Sequence, residues 1–74
     1  MKIKDILPKF NMIEQDSRKT LYSLDKDGYE LIILENKKVV LESNKKILFQ
    51  IIAENVDSEI PKPFLDILQK ISLI

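Results

Sequence analysis

Apolar residues at the start of the chain recur at intervals of three and four. Ile3, Ile6, Leu7, Phe10 and Ile13 fall on one stripe at helical spacing. Pro8 interrupts that stripe unless Asp5 is the N-cap, which puts Pro8 in the first turn, where its missing N–H is not needed. The spacing therefore predicts a helix over residues 6–14. A polar connection, Gln15-Asp16-Ser17-Arg18-Lys19, leads to three short runs with strand character: Thr20–Leu24, Tyr29–Glu35 and Lys38–Glu42. Asp25-Lys26-Asp27-Gly28 reads as the first hairpin loop, with Gly28 in the left-handed conformation that closes a type I turn with a bulge. Asn36-Lys37 reads as a two-residue turn joining the second pair. Ser43 is expected to cap a second helix over 44–55. Pro61 and Pro63 introduce a third over 62–73, with Pro63 in its first turn. The order α-β-β-β-α-α makes one α+β domain over residues 1–74, a three-stranded antiparallel meander with one N-terminal and two C-terminal helices.

Two of these elements carry more apolar surface than one buried face needs. The middle strand is apolar on both sides, with Leu31 and Ile33 on one and Ile32 and Leu34 on the other. An antiparallel sheet with one wet face should instead alternate. The arrangement expected is that helices cover both faces, the N-terminal helix on one and the C-terminal pair on the other. The alternative is that part of one face meets a second copy or another protein. On the second helix, Ile47, Leu48, Phe49, Ile51, Ile52, Ala53 and Val56 cover about two-thirds of the wheel and leave a narrow polar strip. The third helix is more ordinary, but Leu65 and Leu73 fall outside its apolar stripe. An apolar surplus on so small a chain points to protein–protein contact. The candidate contact residues are Phe49, Ile52, Leu65 and Leu73.

Composition removes most other functions. Histidine and cysteine are absent, and Gly28 is the single glycine. Zinc sites need thiolates or imidazoles, thiol chemistry needs cysteine, and catalytic triads need a His or Cys partner. Phosphate-cradling loops need several glycines. A calcium loop at Asp25–Gly28 fails on alignment, because Ser23 would be its first ligand and Leu34 would replace the bidentate glutamate. No catalytic residue, cofactor or metal is therefore assigned, and the protein is read as non-enzymatic.

Charge adds little pull toward nucleic acid or membrane. Twelve basic residues balance twelve acidic ones, and a zero net charge leaves self-association unopposed. The lysines do form two pairs, Lys37-Lys38 and Lys45-Lys46. In the predicted meander the second pair stands near Asp25 and Asp27, so surface ion pairing is the preferred reading and anion or nucleic-acid binding the alternative. The two pairs also fall at opposite ends of the sheet, and Arg18 is the single arginine for base reading. No apolar run approaches membrane-span length and no signal-peptide core follows Met1, so a cytoplasmic location is expected. Eleven lysines to one arginine, with twelve isoleucines to one alanine, are what an AT-rich genome gives, such as that of a low-GC bacterium or a phage or mobile element within one. The combined expectation is a small protein-binding module, a phage- or mobile-element-borne inhibitor or regulator that occupies a partner protein and rests as a homodimer. The alternative is a small nucleic-acid-binding protein that uses the lysine pairs.

Overall fold

The structure is a computed structural model that describes residues 1–24 and 27–74. Helix α1 spans Ile3–Ile6 and tightens into a 3-10 turn over Leu7–Lys9. Five strands follow: β1 (Asn11–Gln15), β2 (Lys19–Ser23), β3 (Tyr29–Leu34), β4 (Lys38–Ser43) and β5 (Lys46–Ile52). Helix α2 spans Lys62–Lys70. The strands pair antiparallel in chain order, β1-β2-β3-β4-β5. Among the described residues the meander therefore has five strands where three were expected, and one C-terminal helix where two were expected.

Two predicted helices account for that correction. The first ends early because it starts early. Asp5 is not its cap but its third residue: the Asp5 carboxylate accepts the Lys2 N–H at 2.8 Å, and the Asp5 N–H donates to the Lys2 carbonyl at 2.9 Å. Pro8 then falls beyond the first turn, where its ring and missing N–H stop an α-helix. Phe10 is already extended, at φ −110° and ψ 162°. Ile3, Ile6 and Phe10 still reach the core, but Ile13 leaves the stripe as the extra residue of a β-bulge between Met12 and Glu14 and is 60% exposed.

The second correction is larger. Residues 46–52, expected inside a helix, form β5. Ser43 does not cap a helix but pairs with Lys46, and Asn44 and Lys45 between them both have positive φ, 51° and 71°. Two consecutive left-handed residues make a type I′ turn, whose twist matches that of the strands it joins and which a right-handed helix cannot contain. The apolar run Ile47–Ile52 then alternates with a bulge at Leu48, sending Phe49 and Ile51 to one face and Gln50 and Ile52 to the other.

The remaining connections follow local chemistry. The β3–β4 turn closes with the Lys37 N–H donating to the Leu34 carbonyl at 3.0 Å, and Lys37 rather than Asn36 takes the positive φ, 69°. The predicted Asp25–Gly28 loop lies partly outside the described residues; within them, Asp27 and Gly28 have φ of 55° and 69°. Helix α2 ends in a Schellman motif. Ser72 takes φ 62°, the Leu73 N–H donates to the Leu68 carbonyl at 2.9 Å, and the Ser72 N–H donates to the Gln69 carbonyl at 3.0 Å.

Among the described residues, all helical structure lies on one side of the sheet. Ile3, Ile6 and Phe10 from the N-terminus and Phe64, Leu68 and Leu73 from the C-terminus form one buried cluster with Leu31, Val39 and Leu41 of the sheet. The rings of Phe49 and Phe64 meet at 5.3 Å between centroids. Residues 53–60 join the two ends: Ile3 N–H donates to the Ser58 carbonyl, Lys4 N–H to that of Val56, and Ile60 N–H to that of Met1. The expected cover of both faces, one helix on one and two on the other, is thus replaced by a two-layer arrangement with one face left open.

Candidate functional site

The open face follows from register, because residues opposite one another in an antiparallel ladder point the same way. Its middle row is Glu14, Leu21, Ile32, Val40 and Gln50, each the partner of the next. One end row is Ser23, Glu30, Glu42 and Ile47. The other consists of the pairs Lys19–Leu34 and Lys38–Ile52. At about 3.3 Å per residue the end rows stand about 13 Å apart. None of Leu21, Ile32, Leu34, Val40, Ile47 and Ile52 belongs to the buried cluster or packs on it. Val40 is buried, at 6% exposure, and Leu21, Ile32 and Leu34 are half-buried, whereas Ile47 and Ile52 on β5 are 59% and 67% exposed. This face is an apolar band with carboxylates at one end and ammonium groups at the other.

Among the described residues, Glu30, Glu42, Lys19 and Lys38 make no ion pair within 4.0 Å. Glu30 and Glu42 are direct cross-strand partners, and like charges so placed repel. Among the described residues the ion pairs are Met1 amine–Glu59, Lys4–Asp57 and Lys37–Glu54, all elsewhere. Hydrogen bonding and charge from Asp57 raise the Lys4 pKa, and the Lys4 ammonium in turn lowers that of Asp57. Asp16 in the β1–β2 turn lies below the usual carboxylate range, because it accepts the N–H groups of Arg18 at 2.7 Å and Lys19 at 3.0 Å.

Of the residues singled out from sequence, the structure places Ile52 on the open face and the other three elsewhere. Phe49 faces α2, Leu65 packs half-buried against the core, and Leu73 is buried as the residue that completes the Schellman motif. The lysine pairs stand at opposite ends of β4. Lys38 is on the open face, Lys37 is bound to Glu54 at 2.6 Å, and Lys45 and Lys46 belong to the type I′ turn rather than to a helix N-terminus. That turn does lie beside the first hairpin, with Asn44 N–H donating to the Gly28 carbonyl at 3.2 Å and the Ser43 hydroxyl to that of Asp27. Asp27 nevertheless makes no ion pair with Lys45 or Lys46, and Asp25 lies outside the described residues. Leu21, Val40, Glu30, Glu42 and Lys19 escaped the sequence reading. The alternation Lys38-x-Val40-x-Glu42 was the signal available for three of the open-face positions.

Other features offer less. A cleft of about 260 Å³ opens between the β3–β4 turn and residues 53–56, lined by Ile3, Ile33, Val39, Ala53 and Val56 with Lys37 and Glu54 among its polar walls. Among the described residues no cluster of acidic side chains is arranged to hold a metal ion, and no helix is long and apolar enough to cross a membrane. Compared with protein-family models, curated proteins and solved structures, the chain matches none.

Proposed function

We propose that the protein is a small non-enzymatic binding module that occupies another protein through the open face of its sheet, as an inhibitor or regulator acting in the cytoplasm. One observation carries this reading: the apolar band of Leu21, Ile32, Leu34, Val40, Ile47 and Ile52 lies on the face opposite the only helix layer among the described residues. Exposed apolar residues scattered singly need no account, but half-buried Leu21, Ile32 and Leu34 flanked by exposed Ile47 and Ile52 and rimmed by charge have the make-up of a contact surface. Its charged ends would set orientation more than affinity.

The test is tagged capture from the native host at near-native expression, with Ile32→Lys and Ile52→Lys run beside the wild type. Both variants should fold, since neither side chain is in the core, and unchanged circular dichroism checks that. The reading expects a stoichiometric protein captured by the wild type and lost in both variants. Capture that survives both substitutions, or no capture at all, overturns it.

A further inference from the structure

We propose that a second copy of this chain docks on the open face, as a two-fold dimer whose axis runs along the middle row, across the strands. The inference rests on the reading of that face as the binding surface, and names its occupant. Two sheets stacked face to face keep their strands aligned to within about 30°, which leaves two placements for a two-fold axis lying between them. An axis along the strands sets each end row over the same row of its partner. Glu30 and Glu42 would then face Glu30 and Glu42, and the lysine row would face lysines. An axis across the strands sets each end row over the opposite one.

The consequences of the second placement can be followed strand by strand, because each strand lies over its own copy running the other way. Glu42 then faces Lys38 of the second copy, since both are on β4 in opposite end rows. Glu30 faces Leu34, with Lys19 and Lys38 on the neighbouring strands to either side. On β5, Ile47 faces Ile52, so the two most exposed isoleucines of the face cover one another. The repulsion between Glu30 and Glu42, which no ion pair among the described residues offsets, is answered by lysines from the partner. The middle row lies on the axis, so Glu14 at the edge strand faces its own copy. Against that one like-charge contact stand the two symmetric Glu42–Lys38 pairs, and the balance of charge selects this arrangement, with the apolar band falling into place.

The size of the face sets the strength. Five strands spaced about 4.8 Å apart, each about 18 Å long, give a footprint of roughly 430 Å². A standard interface buries about 800 Å² of accessible surface per partner. The dimer should therefore be weak and reversible, able to yield to a heterologous partner.

Sedimentation equilibrium over about 10 µM to 1 mM reads the association directly. Wild type should show reversible dimerisation within that range. Glu42→Lys and Lys38→Glu should each weaken it by at least about tenfold, because each puts like charges together at both symmetric contacts. The double variant Glu42→Lys with Lys38→Glu should recover most of the loss. Glu42→Lys also removes the repulsion with Glu30 inside the monomer, so weakened association in that variant is not explained by misfolding, and a thermal melt verifies this. A wild type monomeric across the series overturns the dimer and leaves the heterologous reading to its own capture test. A dimer that tolerates both single reversals, or that the double variant fails to restore, overturns the arrangement.

Discussion

The two faces of the sheet are made from the same alternating strands, yet only one of them holds the molecule together. On the covered face Leu31, Val39 and Leu41 meet Ile3, Ile6, Phe64 and Leu68, and most of these side chains are fully enclosed. On the open face Leu21, Ile32 and Val40 meet mainly their cross-strand neighbours, and the band ends in opposite charges. The contrast shows that hydrophobicity of sequence is no measure of contribution to stability. What counts is how many atoms from another layer surround each side chain.

The largest effect expected from this contrast is at the ring that joins the layers. Phe64→Ala should destabilise by about 3–5 kcal/mol in urea unfolding, enough to unfold much of a chain whose whole stability is roughly 4–11 kcal/mol. A cost near 1 kcal/mol would mean that α2 is not the anchor of the covered face. Adjacent residues give a sharper comparison. Leu31→Ala should cost about 2–5 kcal/mol, whereas Ile32→Ala, one position along and pointing the other way, should cost about 1 kcal/mol when measured at concentrations where the chain is monomeric. Equal losses would break the distinction between the faces.

Lys45→Gly tests the element on which the open face depends. In a type I′ turn, glycine relieves a left-handed lysine and should stabilise by about 0.5–1 kcal/mol. In the first turn of a helix over 44–55 the same change would destabilise, so the sign of the shift in melting temperature distinguishes strand from helix. The smallest effect expected is at the β1–β2 turn, beside the lysine end of the open face. The native Asp16 pKa is depressed by N–H donation from Arg18 and Lys19, so its contribution is present above the ordinary aspartate value of about 3.9 and lost as pH falls through the lowered one. Asp16→Asn should therefore be less stable than wild type at neutral pH and converge on it in acid. A constant difference across an acid titration would mean that the carboxylate charge does not hold the turn.

Much of this architecture was readable along the chain. Runs bounded by polar residues mark β2, β3 and β4 to within a residue or two, and Pro61-Lys62-Pro63 followed by an apolar stripe marks the start of α2. The surplus on Leu31–Leu34 marks a sheet with something unusual on one face. The absence of histidine and cysteine and the single glycine belong to the sequence alone. The fate of residues 11–15 and 46–52 was not readable there. Ile47–Ile52 is an apolar run short enough to suit a helix or a strand, and what decided it is the pair of left-handed residues Asn44 and Lys45, a conformation for which lysine gives no signal. The same turn set the faces, because a strand displays alternate residues where a helix would have gathered them on one stripe. Which face is covered is a tertiary outcome. Local pattern determines that a side chain is apolar, but only the path of residues 53–60, tying both termini to one side, determines which apolar side chains are enclosed.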